Sequence, residues 1–301
     1  MNWRAWPWAV LMPAIVFVLI GLFAPLLMTH DTAAQDYSAL LQGPSLSHYL
    51  GTDYLGRDLW SRIIGGARTS LVAMVFVLAA ALIIGVVVGS LAGYVGGVAE
   101  MALISVIDIM LALPSLVIAL ALMGVYSGEN FTWMSDYWKM IFALTLAWWA
   151  NYARMSRAVV VSELQQPYIE AARVMGASHV WIFMRHILPH VLGLVVVYAS
   201  ADAGALVLAI ATLSVLGLGV APPIPEWGQM LVDGMQYIEE YPSLVIIPGL
   251  ALTAVVVSFN LLGEAFALQK VPKAVRGRVL ARKQRERVAE KVARQKIEGA
   301  A

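Results

Sequence analysis

Long apolar runs separated by polar stretches set the plan of this chain. Trp8 to Met28, Leu71 to Tyr94, Met101 to Val125, Met140 to Val161, Val191 to Leu216 and Leu244 to Leu268 are each long enough for the roughly 20 residues that cross a bilayer as a helix. The pattern predicts an all-α integral membrane protein with six transmembrane helices. The first run is too long for the apolar part of a cleaved signal peptide, and only Arg4 precedes it, so it reads as an uncleaved helix. The fourth is the weakest, because Asn151, Arg154 and Arg157 in its second half mark an exit into the headgroup region. Pro114 and Pro248 each remove a backbone donor, so the third and sixth helices are expected to kink. Gly85, Gly89, Gly93 and Gly97 recur every four residues, a groove into which another helix can pack closely.

Two polar interruptions carry patterns of their own. From Thr29 to Arg68 the chain is turn-rich, and Asp53, Arg57, Asp58, Arg62 and Arg68 alternate in sign, as expected of local ion pairs in a structural elbow. From Tyr168 to Pro189 it reads YIEAARVMGASHVWIFMRHILP. Tyr168, Ala171, Ala172 and Met175 fall at i, i+3, i+4 and i+7, one apolar face of a two-turn helix with Glu170 and Arg173 opposite. Gly176 supplies the left-handed residue that ends a helix, and Ser178 can cap the next. Val180, Phe183, Met184 and Ile187 repeat the apolar spacing, and Pro189 suits the first turn of a further helix. Periodicity alone fits an ordinary helical hairpin loop equally well.

Composition agrees with the membrane assignment. Hydrophobic residues make up 60% of the chain and charged ones 13%, with mean hydropathy +0.77, against about 45–50% and about 25% in soluble domains. The absence of cysteine excludes disulfides and thiolate metal sites. The net charge of +1 hides an asymmetry, since eleven Lys or Arg lie from Lys270 onward against three Glu. In the six-helix scheme one side receives sixteen basic residues, including Arg4, Arg154, Arg157, Arg173 and Arg185, and the other four: Arg57, Arg62, Arg68 and Lys139. The positive-inside rule therefore puts both termini and the Tyr168 loop in the cytoplasm. The loop from Leu218 to Pro242, with Glu226, Asp233, Glu239 and Glu240 and no Lys or Arg, points the same way.

Asp108, Asp202 and Glu264 lie within or near the ends of apolar runs, where a charge costs a few kcal/mol or more at mid-bilayer and so calls for protein or water beside it. Two readings stand for Asp108 and Asp202: lining of a water-filled translocation path, or an interhelical hydrogen bond. For Glu264 the structural or interfacial reading is preferred. Catalytic chemistry finds little support. No GxxxxGK[ST] phosphate loop, HExxH or GxSxG motif occurs, and His30, His48, His179, His186 and His190 show no metal-ligand spacing. A non-catalytic membrane subunit without cofactor or metal is expected.

The segment Glu170-Ala171-Ala172, Gly176 and the ending Leu188-Pro189 resembles the EAA loop of ABC-importer permeases, with His186 where the general pattern has Ile. LGTDYLGRDLWSR from Leu50, APPIPEWGQML from Ala221 and SFNLLGE from Ser258 are similar to segments of the second, C-type permease subunit of dipeptide, oligopeptide and nickel importers. The acidic and basic string that follows the last helix in that family is missing after Gly263-Glu264. The resemblance implies an importer-permease core with a cytoplasmic coupling loop. Tyr168, Glu170, Ala171, Ala172, Met175, Gly176 and Ala177 would contact the ATPase, and Asp108 and Asp202 are the path candidates. Implied partners are a homologous second permease subunit, two cytoplasmic ATPase subunits, an extracytoplasmic substrate-binding protein and membrane lipid, with no nucleic acid. The implied location is the cell inner membrane. Expected divisions are an N-terminal helix and elbow over 1–70, a core over 71–268 with the coupling loop at 163–189, and a basic tail over 269–301. That tail could be a solvated helix, an anionic-lipid anchor or a partner contact. A self-contained secondary transporter or channel is the rival, but the internal repeats and broken helices it would need are not evident.

Overall fold

A computed structural model describes residues 6–126 and 131–270. The first two residues of the expected basic tail, Gln269 and Lys270, belong to the last helix, while Arg4 and the tail from residue 271 onward, which bear on the charge argument, lie outside the described residues. Among those residues the protein is all-helical, with one isolated bridge between Thr52 and Asp58.

Helix α1 runs Trp6–Leu22 and is followed by a short α2, Ala24–Leu27. The elbow comes next, and then α3, Leu59–Val95, which begins twelve residues before the apolar run and takes in the end of the expected N-terminal division. Its start is set by Asp58, whose carboxylate accepts from Ser61 N–H and caps the helix. α4, Gly97–Ala112, and α5, Ser115–Tyr126, replace the single third helix expected from the sequence, and they meet at 89°. The kink at Pro114 is therefore a full break. Leu113 takes the extended conformation forced on a residue before proline (φ −108°, ψ 145°), and the Pro114 carbonyl accepts from Val117 and Ile118 N–H to start α5.

α6 spans Asp136–Leu164, α7 Pro167–Val174 and α8 His179–Ile182. A π-helical turn, Phe183–Ile187, joins α8 to α9, Leu188–Val215. The expected fresh start at Pro189 is absent: Leu188 N–H bonds to Phe183 O across the widened turn, and the helix runs unbroken from His179 to Val215. α10, Trp227–Met235, and α11, Ser243–Lys270, complete the chain, and α11 contains Pro248 without interruption.

Among the described residues Leu59–Val95, His179–Val215 and Ser243–Phe266 are long and apolar enough to cross a membrane, and α4 with α5 is so only when the bent pair is taken together. α6 is not among them, since Asn151, Arg154, Arg157 and its tryptophans make it more polar. The core lies where α3, α6, α9 and α11 meet, around Val77, Leu144, Tyr152, Leu206, Ile210 and Val255. Backbone proximity explains the glycines of α3. A methyl group on Gly85 would stand 2.5 Å from Tyr152 Cβ, one on Gly89 2.1 Å from Ala153 O, and one on Gly93 3.0 Å from Val160 Cβ. The groove receives α6, as the spacing implies for three glycines. Gly97 is not part of it, for it sits in the α3–α4 corner at φ +65° with open space around it.

The elbow packs on the start of α3 and on α10. Arg57 Nε lies 2.7 Å from Asp53 and Arg62 Nε 3.4 Å from it, the local pairing that the alternating signs predict. Arg57 also reaches Asp233 of α10 at 3.5 Å, a contact no local pattern could show. Trp227 donates from Nε1 to Ile63 O at 3.0 Å and fills the space over Gly66, while buried Glu226 caps α10 through Gln229 N–H.

Candidate functional site

The residues of the expected coupling loop fall at the C-terminal end of α3, opposite the elbow. α7 begins with Pro167 and ends in a Schellman turn: Gly176 N–H bonds to Arg173 O and Ala177 N–H to Ala172 O, both at 3.0 Å. Gly176 has φ +86°, a conformation that a side chain resists, although a Cβ there would meet nothing within 4 Å. Ser178 then caps α8 by accepting from Trp181 N–H at 3.3 Å. The glycine stop and serine start are placed as the sequence predicts.

The faces of the two helices are divided differently. Ile169 and Ala172 are buried on one side of α7, and Ile182 and Ile187 on one side of the following segment. Tyr168, Glu170, Ala171, Arg173, Met175 and Gly176 are exposed, and Ala177 is half-buried. Val174 is 85% exposed, Met175 81% and Val180 72%, with Met184 and Trp181 also outward. The spacing assigned Tyr168, Ala171, Ala172 and Met175 to one face, but only Ala172 turns inward. Ile169, which anchors α7, and the outward Val174 and Trp181 were not singled out, and of the stripe Val180, Phe183, Met184 and Ile187 only Ile187 is fully buried while Val180 and Met184 face outward. Two apolar surfaces lie side by side on these helices, one for the core and one without a cover among the described residues.

Anchors fix this unit to the body. Tyr94, near the end of α3, donates to His179 O at 3.0 Å and packs edge-on against Phe183 at 5.5 Å. The Tyr168 hydroxyl donates to Glu163 at the end of α6, and desolvation together with that carboxylate pushes the phenol up to about 12.

Two ion pairs join α4 to α6. On α4, Asp108 meets Arg154 at 2.7 Å, and Glu100 meets Arg157 at 2.7 Å, so α6 grips α4 through two ion pairs. Both members of the first pair are more than half exposed. Asp202 of α9 is half-buried and accepts from the buried Tyr152 hydroxyl at 2.9 Å. Around it α9 and α11 touch backbone to backbone, a methyl on Gly263 falling 2.3 Å from Ala201 Cα. The structure thus places Asp108 and Asp202 on different helices, each with its own α6 partner.

At the elbow, His30, His48 and Asp58 each present a ligand atom within 4.8 Å of the others, a grouping that their spacing in the chain does not indicate. Only the fold brings them to one place.

A family model described as the inner membrane component of binding-protein-dependent transport systems matches residues 85–271. The chain belongs to this family. The dipeptide transport system permease protein DppC of Alkalihalophilus pseudofirmus is 38% identical over 259 residues, covering 85% of this chain and 82% of that one. The nickel transport system permease protein NikC of Escherichia coli is 37% identical over 261 residues, 86% of this chain and 92% of the relative. The probable D,D-dipeptide permease DdpC of Escherichia coli is 36% identical over 260 residues, 86% and 85% of the two chains. Among solved structures, the crystal structure of an amino acid ABC transporter with histidines aligns at TM-score 0.55 and 16% identity, over 68% of this chain and 92% of that one, a likeness of fold. The protein is the permease component of a binding-protein-dependent ABC importer, a class that works with ATPase and substrate-binding components.

Proposed function

We propose that this chain is the C-type permease subunit of an importer for short peptides or nickel and similar metal chelates, and that α7 and α8 are the loop through which ATP hydrolysis drives it. The single observation that carries the coupling role is the outward apolar surface of Val174, Met175, Val180, Trp181 and Met184 on a rigidly capped turn. Arg173, Glu170 and Ser178 are exposed among them, so the surface suits a protein groove better than lipid. Tyr168, Glu170, Ala171, Ala172, Met175, Gly176 and Ala177 build the unit, with Ala172 holding it to the body and the rest facing the ATPase or shaping the turn. The substrate class follows the named relatives and goes no finer than they do.

In this reading the chain crosses the cell inner membrane six times, by α1, α3, the α4–α5 pair, α6, α9 and α11, with both termini cytoplasmic. It pairs with a homologous permease subunit, two cytoplasmic ATPases bind the paired loops, and a binding protein delivers substrate from outside. The ATPases supply the free energy. Because α8 continues through the π turn into α9, displacement of the loop is passed along one helix to the level of Asp202. Asp202 and Asp108 then line or border the path.

Replacing Val174 and Met175 together by Asp should reduce recovery of the ATPase with the detergent-extracted permease by about 10-fold or more, the size of effect expected when anchor residues of an interface are removed. The amount of permease in the membrane should not change. Full ATPase recovery with the double variant would remove α7 from the coupling role.

A further inference from the structure

The elbow contains a cluster to which the proposed function assigns no role. Asp58 is 1% exposed at its side chain, and its two oxygens face two imidazoles: His48 Nδ1 is 2.9 Å from Oδ1, and His30 Nδ1 is 3.8 Å from Oδ2. The second distance is too long for a hydrogen bond; His30 Nδ1 lies instead 3.0 Å from the Thr29 hydroxyl, which is itself 3.4 Å from Asp58 Oδ2. The rings lie 4.8 Å apart at 31°. Each residue is held from behind. His30 N–H donates to Ser61 Oγ at 3.0 Å, His48 N–H to Ser45 Oγ at 3.0 Å, and Asp58 Oδ2 accepts from Ser61 N–H at 2.8 Å.

We propose that His30, His48 and Asp58 form a binding site for one divalent late transition-metal ion, with Zn²⁺ as the reference ion. Two imidazole nitrogens and one carboxylate oxygen suit that class, whereas Ca²⁺ and Mg²⁺ require a fuller set of oxygens. Ligand atoms about 2.0–2.1 Å from Zn²⁺ in a tetrahedral site stand about 3.4 Å from one another; here the two imidazole nitrogens lie 2.9 and 3.8 Å from different oxygens of Asp58, and one ligand atom from each of the three residues falls within 4.8 Å of the others. Binding requires the two rings to close on one carboxylate oxygen and His30 Nδ1 to exchange its bond to the Thr29 hydroxyl for the ion. His48 gives up its hydrogen bond to Asp58, binds the ion through Nδ1 and carries its proton on Nε2. His30 is 42% exposed at its side chain, so the ion has an entry path and water completes the fourth position. Ser61 bonds both to the carboxylate and to the His30 backbone, the outer support that orients metal ligands. The ion would join the start of the elbow, its far end and the cap of α3 at a single point.

The assembled transporter, stripped with a chelator, would be titrated with Zn²⁺ against a chromophoric competitor. The wild type should hold one Zn²⁺ more per permease chain than His30→Ala, and X-ray absorption of that ion should show only N and O neighbours with imidazole scattering. His30→Ala and His48→Ala should each weaken binding by at least about 10-fold, since even outer-shell changes cost that much. His190→Ala, far from the elbow, should leave it unchanged. Asp58 is left intact because it caps α3, and exposed His30 can be replaced without disturbing the fold. Equal zinc content and affinity in the wild type and His30→Ala would overturn the assignment.

Discussion

Asp202 is the residue at which path and packing are separable. Its carboxylate accepts from the Tyr152 hydroxyl at 2.9 Å, so a purely structural role would be the holding of α9 to α6. Asp202→Asn retains an oxygen acceptor for that hydroxyl and removes the charge. If the charge serves the path, uptake per assembled complex should fall several-fold while the amount of complex stays near normal. Tyr152→Phe makes the complementary change, removing the donor and keeping the charge, and should cost about 1 kcal/mol of stability with transport per complex retained. Equal uptake per complex in Asp202→Asn and wild type would end the path assignment. The sequence marks Asp202 because it interrupts an apolar run, but Tyr152 lies on another helix and nothing in the run predicts their meeting. The same holds for Asp108 and Arg154, and for His30, His48 and Asp58. Lateral partners depend on how helices rotate against one another, which run length does not encode.

Elements were legible where one residue type settles the backbone. Gly176 is such a position: its φ of +86° and the two Schellman bonds follow from the need to end α7 and turn. Gly176→Val should strain that turn by about 1–2 kcal/mol and abolish ATP-driven uptake without loss of the protein from the membrane. Gly176→Asn, which tolerates the left-handed region, should transport nearly normally. If both behave alike, the turn conformation is not what coupling requires. The glycines of α3 were equally legible as a groove, and Gly89→Val should push Ala153 away and destabilise the α3–α6 pair by about 1–3 kcal/mol or more, seen as a lower yield and melting temperature of the purified complex. Other features were not legible. The spacing put Tyr168, Ala171 and Met175 on one face with Ala172, yet only Ala172 is buried, because surfaces made for the core and for a partner are both apolar. The π turn before Pro189 leaves no periodic signature either, since widening one turn to i→i+5 bonding shifts the helix register by one residue.

At the scale of the molecule, α3 orders everything else. Its 37 residues extend about 55 Å, well beyond the roughly 30 Å of a bilayer's hydrocarbon core. One end carries the elbow and α10, and the other carries Tyr94 against His179 and Phe183. The elbow and α7–α8 must then lie on opposite sides of the membrane, provided α3 crosses it. The ion pairs among Asp53, Arg57, Arg62 and Asp233 also account for basic residues on the side that the charge rule disfavours, for they are buried partners of carboxylates rather than free topological signals. The absence of cysteine allows a direct check. Exposed Gln165, which caps α6 through its backbone N–H alone, and exposed Glu239, after α10, can each be replaced by Cys with that backbone bond kept. In intact cells a membrane-impermeant thiol reagent should label Glu239→Cys and spare Gln165→Cys, and the protected site should react once the membrane is opened. Labelling of both from outside would refute the crossing by α3, and the reverse pattern would invert the orientation and put the apolar loop surface out of reach of any cytoplasmic ATPase.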